Sequence, residues 1–389
     1  MSGSRGKRYR WAVLAGGTVA QASFAAITLG LPVLAPALRN DFSLSLREIG
    51  LLLSAPWIGA TITFLAWGLV VDRYGERPAI TVGLAGSSMC LVAAARVSGL
   101  VPLLLLLALS GAFGASVHSA SGRAVMRWFG PDERGFALGI RQTAIPLGGV
   151  TVSLVVPSLA ASGGTDAAFL FLAVLCLMGA LAGFAVLGRG EPVREKEIPS
   201  VRETLSDGRL WRLSFGSSLY VFAQIAVIGF GVVFLHDQHG LSGRRAALVI
   251  AAAQVLAVVM RIAAGRWSDR TRSRIVPLRR VGVAVAASMM ATAALTDGPV
   301  WLLVPALALA GALSMGWNGL AFTAAAEFAG QGRSGVAIGL QQTILYALAV
   351  AAPIAFAATV SAWTWTAAFV LAGLFPLVGS RALRPLRAY

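Results

Sequence analysis

The chain has 389 residues, of which 57% are hydrophobic and only 12% charged; a soluble core cannot bury that much apolar surface, so the composition belongs to a polytopic membrane protein. The formal net charge of +16 does not point to a nucleic-acid partner, because none of the loops between apolar runs is long enough to fold into a basic face. The absence of a metal-ligand cluster, an activated nucleophile pair and a Walker-type phosphate loop argues against an enzyme and against ATP as the driving force, and no metal or cofactor is expected.

About 20 apolar residues cross the hydrocarbon of a bilayer. After a basic tail over 1–10, spans 1 to 6 are predicted at 11–37, 48–71, 78–97, 101–127, 135–160 and 167–188. A polar linker over 189–211 follows, mixing Glu191, Arg194, Glu195, Lys196, Glu197, Arg202 and Glu203 with Pro192 and Pro199. It reads as a solvated tether, and its alternating signs are compatible with partial helix. Spans 7 to 12 are predicted at 212–235, 246–267, 281–296, 300–326, 335–360 and 363–380, before a basic tail over 381–389. The expected architecture is an all-α membrane protein of twelve transmembrane helices in two six-helix bundles, 11–188 and 212–380. Prolines inside the spans are tolerated because neighbouring helices re-satisfy the freed backbone groups. Cys90 and Cys176 fall in apolar spans as small buried hydrophobes. Span 1 is longer than the apolar region of a signal peptide and is expected to stay in the mature protein.

The arginines set an orientation. With the N-terminus in the cytoplasm, Arg5, Lys7, Arg8, Arg10, the linker, the 266–280 loop, Arg381, Arg384 and Arg387 lie inside, against Arg39, Arg47, Arg96, Arg244 and Arg245 outside. The positive-inside rule then places both termini in the cytoplasm, as expected for a multi-pass protein of a bacterial inner membrane.

The two halves are homologous. GFALGIRQT at 135–143 aligns with GVAIGLQQT at 335–343, an offset of 200, and LSLREIGLLL from 44 aligns with LSGRRAALVI from 241, an offset of 197. Parallel repeats of this kind are a common transporter plan, with the substrate site between them. GLVVDRYGERP at 68–78 likewise returns as GRWSDRTRSRI at 265–275. In the first copy Gly68, Asp72, Arg73, Gly75 and Arg77 keep the spacing GxxxDRxGxR, which resembles the loop 2/3 signature of the major facilitator superfamily of secondary transporters. Gly265, Asp269, Arg270 and Arg274 keep it in the second copy, where Arg272 replaces the inner glycine. The resemblance implies a loop packed against span 11, whose acid and arginines latch the cytoplasmic side in the outward-open state. Asp72, Arg73 and Arg77 would form that latch, with Asp132 or Glu133 as partners of Arg77, and the loss of glycine at Arg272 puts the second latch in doubt. The alternative is that these charges only fix topology and loop conformation.

Of sixteen carboxylates only Glu327 falls within a predicted span, near its end, whereas Arg123, Arg141 and Arg261 all do. A charge at a helix centre costs about 2.5 to 3.5 kcal/mol on the insertion scale, so each needs compensation. Arg123 is near enough to the end of span 4 to snorkel. The spacing from Arg261 to Gly265 resembles span 8 of the oxalate, nitrate and monocarboxylate branches of the superfamily, where an arginine one turn before the motif glycine binds the anion. The matching arginine of the nitrate branch in span 2 is replaced by Phe64. Guanidinium pairs with carboxylate through two parallel hydrogen bonds, which suits an anionic ligand. Snorkelling, or a gate formed with Glu327, would instead account for Arg261 and Arg141 without any ligand. The repeats place matched polar groups nearby: Gln142 against Gln342, His118 against Asn318, and Gln341 opposite Arg141 itself. Gln21, Gln224, Gln254, Tyr220, Trp317 and Tyr346 are further candidates for a central cavity, although interhelical hydrogen bonding is the commoner use of such residues.

His118 is the side chain within the spans whose ordinary pKa suits proton exchange, and a neutral hydrogen-bonding role is the competing reading. The arginine of the RxxxG pattern early in span 4 of proton-driven relatives is replaced by Leu107. The reading is a transporter working by alternating access on a small organic anion, functional as a monomer in the lipid bilayer, with exchange of anions as one mode. Two alternatives stay open. Pro146, Gly148 and Gly149 partly resemble an antiporter signature of drug efflux pumps, and a receptor that kept the fold and lost transport is the other.

Overall fold

The computed structural model describes residues 3–44, 46–187, 200–330 and 332–386. Among them no strand forms, and eleven helical stretches are long and apolar enough to cross a membrane. These are Arg8–Ala35, Glu48–Tyr74, Glu76–Ala94, Leu100–Trp128, Arg134–Val186, Gly208–His239, Arg245–Arg270, Ile275–Ala294, Val300–Phe328, Ser334–Ala362 and Trp365–Ala382. The fifth has 53 residues, about 80 Å of helix against a hydrocarbon thickness of about 30 Å. It is broken at Gly163 and Gly164, whose backbone angles are non-helical, with φ of 69° at Gly164. It therefore makes two crossings, giving the twelve spans expected, and they keep the numbers 1 to 12 with spans 5 and 6 on either side of the break. Long apolar side chains such as Ile62, Leu154 and Ile354 stand on the outside. That is the pattern for helices whose backbone groups are satisfied internally and whose outer faces meet lipid.

Two spans are interrupted at equivalent places. Span 4 breaks at Ala115, between Leu100–Gly114 and Ser116–Trp128, and span 10 breaks over 315–317, between Val300–Ser314 and Asn318–Phe328. Broken helices expose backbone carbonyls that side chains of neighbouring helices then satisfy.

The chain forms two compact units. One comprises residues 1–130, 140–204 and 329–343, and the other 131–139, 205–328 and 344–389. The start of span 11 therefore belongs with the first repeat and the start of span 5 with the second, an exchange that the expected limits of 11–188 and 212–380 do not contain. Glu191, Arg194, Glu195, Lys196 and Glu197 of the expected linker lie outside the described residues. Where the chain is next described, Ser200 and Glu203 cap the helix Val201–Ser206 reciprocally: the Ser200 N–H donates to Glu203 Oε2 at 2.6 Å and the Glu203 N–H to Ser200 Oγ at 3.1 Å. These bonds to Ser200 hold the Glu203 carboxyl below its usual range. Asp207 caps the next helix by accepting from the Arg209 N–H at 2.9 Å.

Candidate latch and substrate sites

The signature loop of the first unit is held at the N-terminus of span 11. Asp72 accepts from the backbone N–H groups of Gly335 at 2.9 Å and Val336 at 2.8 Å. These are among the first N–H groups of the helix Ser334–Ala362, which have no partner within it and carry its positive dipole end. Close approach makes the contact possible: a Cβ on Gly68 would lie 2.5 Å from the Gly335 carbonyl oxygen, and one on Gly339 would lie 2.6 Å from that of Phe64. Gly335 and Gly339 form a GxxxG spacing, which puts two bare positions on one helix face.

The arginines expected in this latch lie elsewhere. Arg73 is exposed, one residue and so about 100° around the helix from Asp72. Arg77 stacks its guanidinium over the Phe184 ring, 3.9 Å from the centroid, and Asp132, its expected partner, faces Arg272 at 3.7 Å. The cation beside Asp72 is Arg123, at 3.5 Å, which also donates to the Val71 carbonyl at 2.8 Å. Arg123 is thus a member of the loop network rather than a snorkelling side chain. Glu76, at 3% exposure, receives Arg127 at 2.8 Å and lies 3.6 Å from Arg123.

The second unit repeats the contact of loop carboxylate with helix N-terminus. Asp269 accepts from the N–H groups of Gly135 at 2.9 Å and Phe136 at 2.8 Å, at the start of span 5. Gly265 approaches the Gly135 carbonyl, and a Cβ on Gly139 would lie 2.7 Å from the Arg261 carbonyl oxygen. Arg272, whose replacement of glycine cast doubt on this copy, adopts φ of 48° where Gly75 has 88°. Arg270 is exposed. Arg274 carries the network instead, reaching Asp269 at 2.5 Å and Glu327 at 3.1 Å. Burial opposes its charge, but hydrogen bonds and the charges of Glu327 and Asp269 outweigh burial and hold Arg274 above its ordinary range. Arg134 also faces Glu327, at 3.8 Å. Glu327 is therefore engaged at the loop, not as a gate on Arg261.

A polar cluster lies inside the first unit. Arg141, fully buried, donates through Nε to Ser121 Oγ at 2.7 Å and through Nη2 to Gln21 Oε1 at 2.8 Å and the His118 carbonyl at 3.0 Å; Nη1 reaches Gln142 Oε1 at 3.5 Å. These acceptors are neutral oxygens. Because the Gln21 oxygen accepts from Arg141, its amide nitrogen faces His118 Nε2, at 3.2 Å, which makes that ring nitrogen the acceptor and puts the ring proton on Nδ1. The rings of Phe24 and Phe64 meet His118 edge-on at 5.1 and 5.0 Å. Four of the expected site residues, Gln21, His118, Arg141 and Gln142, are thus brought together, and Ser121 joins them.

In the second unit Arg261 is 2% exposed and donates through Nε to the Met315 carbonyl at 3.0 Å, at the break in span 10. Gln254 lies seven residues earlier on the same face of the helix and is half-buried. Trp317 and Asn318, at 0% and 7% exposure, follow the same break. Gln224 and Tyr346 are half-buried. Tyr220 belongs to helix packing: fully buried, it donates to the Leu278 carbonyl at 3.3 Å and meets Trp317 edge-on at 5.7 Å, and it fills the space over Gly282 and Gly379. Ser121, Glu76, Arg127 and Arg274 were not among the expected site residues. The available signal was the repeat itself, since Arg127 and Glu327 stand at equivalent positions with opposite charge.

Twelve apolar crossings in two repeats, each with a loop carboxylate on a helix N-terminus, define a polytopic membrane protein of the transporter type. The chain belongs to the Major Facilitator Superfamily, whose family profile matches residues 16–353. It is 36% identical over 376 residues to an uncharacterized MFS-type transporter of Mycobacterium tuberculosis, covering 95% of this chain and 83% of that one. It is 25% identical over 251 residues to a hexuronate transporter of Bacillus subtilis, covering 61% of this chain and 60% of that protein. Its fold matches that of the proton:xylose symporter XylE with a TM-score of 0.77 at 15% identity, over 98% of this chain and 97% of the other.

Proposed function

We propose that this protein is a secondary transporter of a small organic anion, working by alternating access in a bacterial inner membrane with both termini in the cytoplasm. The observation that carries the reading is Arg141, fully buried and held by the neutral oxygens of Gln21, Ser121, Gln142 and His118. A guanidinium buried where water is scarce favours an anionic ligand in its surroundings. Arg261 supplies a second buried cation in the other unit. The similarity to a hexuronate transporter supports the same substrate class. Each loop carboxylate on a helix N-terminus serves as a latch, made in one access state and broken in the other. His118 acts as a neutral hydrogen-bonding group, since a proton on Nε2 would face the Gln21 amide nitrogen. The protein acts as a monomer and needs no cofactor.

The test is thermal stabilisation of detergent-purified protein by mono- and dicarboxylates, nitrate, cyanate and a panel of lipophilic cations. Stabilisation by an organic anion that disappears in Arg141→Ala and weakens in Arg261→Ala is the expected result. Stabilisation by lipophilic cations that survives both substitutions would overturn the reading in favour of drug efflux.

A further inference from the structure

The two loop carboxylates make the same pair of backbone contacts but differ in what stands behind them. Asp269 accepts from the N–H groups of Gly135 and Phe136 and also from Arg274 Nη1, at 2.5 Å. That guanidinium is itself held on three further sides, donating to Ser268 Oγ at 2.9 Å, to Glu327 Oε1 at 3.1 Å and to the Pro131 carbonyl. One side chain thus ties together the loop, the end of span 10 and the segment that leads into span 5. Asp72 accepts from Gly335 and Val336, but the cation beside it, Arg123, stands 3.5 Å away and donates to the Val71 carbonyl at 2.8 Å.

The sequence accounts for the difference. Arg77 is the counterpart of Arg274, but the end of span 4 carries Arg123 and Arg127 where span 10 carries Thr323 and Glu327. A third arginine at that place would meet like charge, and Arg77 lies instead over the Phe184 ring. A carboxylate taken out of water is held firmly when a cation pairs with it at close range, and the attraction weakens as the two separate. The Asp72 side chain is fully buried and that of Asp269 nearly so. Both give up hydration, yet only Asp269 has an arginine at 2.5 Å.

We infer that the two latches are unequal: Arg274 is a positioning residue that keeps Asp269 on the start of span 5, while the contact of Asp72 with the start of span 11 is the first to yield when the cytoplasmic side opens. This rests on the latch reading above and gives its two contacts an order. The repeat then supplies one stiff and one yielding joint on the same backbone design.

Hydrogen–deuterium exchange of the full-length protein in detergent reads both contacts, because each is made by two named amides and an amide exchanges when its hydrogen bond opens. After correction for intrinsic rates, Gly335 and Val336 are expected to exchange at least about tenfold faster than Gly135 and Phe136, a difference of about 1.4 kcal/mol. Equal rates, or slower exchange at Gly335 and Val336, would overturn the inference in the parent protein, with no variant required. Arg274→Gln is expected to bring Gly135 and Phe136 up to the rates of the other pair and to leave Gly335 and Val336 as they were. Unchanged rates at Gly135 and Phe136 would remove the role of Arg274, and faster exchange at both pairs would reduce it to general stabilisation; either result overturns the inference. Asp72→Asn and Asp269→Asn test the reading beneath it. If neither substitution alters exchange at its own pair of amides, the carboxylates do not hold the helix ends and the latch reading itself falls.

Discussion

Gly75 and Arg272 occupy equivalent places in the two loops, with φ of 88° and 48°. A side chain in the left-handed region costs about 1 to 2 kcal/mol relative to glycine, so the second loop holds its turn against a strain that the first avoids. The Arg272–Asp132 ion pair does not offset it, since both side chains are largely exposed, at 84% and 73%, and exposed pairs contribute little. Arg272→Gly is therefore expected to raise stability by about 1 kcal/mol, seen as a higher melting temperature in detergent, while Gly75→Ala lowers it by a similar amount. Equal melting temperatures for Arg272→Gly and the parent would show that the turn is relaxed. One step away, Asp72 and Asp269 each accept two N–H groups at a helix start. An asparagine keeps one acceptor and turns a donor toward the positive end of the dipole, losing about 1.5 to 3 kcal/mol for a charged hydrogen bond. Asp72→Asn and Asp269→Asn should each shift the pattern of cysteine labelling at the ends of spans 2 and 8 toward the state in which the latch is open. Identical labelling in parent and variant would leave the two carboxylates a purely structural role.

The elements that bring those carboxylates to their helix ends meet at bare backbone. Gly68 touches the Gly335 carbonyl, and Gly265 that of Gly135. A methyl at either glycine collides with backbone, which cannot move aside as a side chain can. Gly68→Ala and Gly265→Ala are expected to abolish uptake in reconstituted vesicles at normal expression, whereas Gly50→Ala, with nothing within 4 Å of the added carbon, should transport like the parent. Normal transport by Gly265→Ala would mean that the close approach of spans 8 and 5 is not needed for the transport cycle. The helices themselves were legible in the sequence because an apolar run bounded by charges has only one stable form in lipid. The join of spans 5 and 6, which continues as helix up to a break at two glycines, and the breaks within spans 4 and 10 were not legible. The site was legible in part for a related reason: Arg141, Gln21, His118 and Gln142 stand out as polar residues in apolar spans, where each needs a partner. Pairing was not legible, since sequence gives a residue's depth along its own helix but not which neighbour its face meets. Arg123 rather than Arg77 therefore stands beside Asp72 while Arg77 stacks over Phe184, and Tyr220, aromatic and buried as a ligand-binding residue would be, turned its hydroxyl to the Leu278 carbonyl.

Across the whole molecule each repeat pairs a loop residue with the end of span 4 or 10, with opposite sign and one position apart in the loop, since Arg274 aligns with Arg77 and Glu76 with Ser273. In the first unit an acid on the loop, Glu76, meets a base at the end of span 4, Arg127, at 2.8 Å; in the second a base on the loop, Arg274, meets an acid at the equivalent place in span 10, Glu327, at 3.1 Å. The common frame requires complementary charge between loop and span end, not a particular sign at either. Arg127→Glu sets a second carboxylate against the buried Glu76, and removing one partner of a buried pair in this way costs about 3 to 5 kcal/mol. Exchanging both, as Glu76→Arg with Arg127→Glu, gives the first unit a base on the loop and an acid at the span end, the signs of the second unit's pair one residue away in the loop. The double variant is expected to recover at least half of the stability lost in Arg127→Glu, with Arg123, 3.6 Å from Glu76, opposing full recovery. A double-mutant cycle on melting temperature in detergent measures this directly, because a favourable coupling between the two substitutions appears as non-additivity. Additive losses would mean that Glu76 is held chiefly by its other neighbour, Arg123, and that the two repeats use different networks.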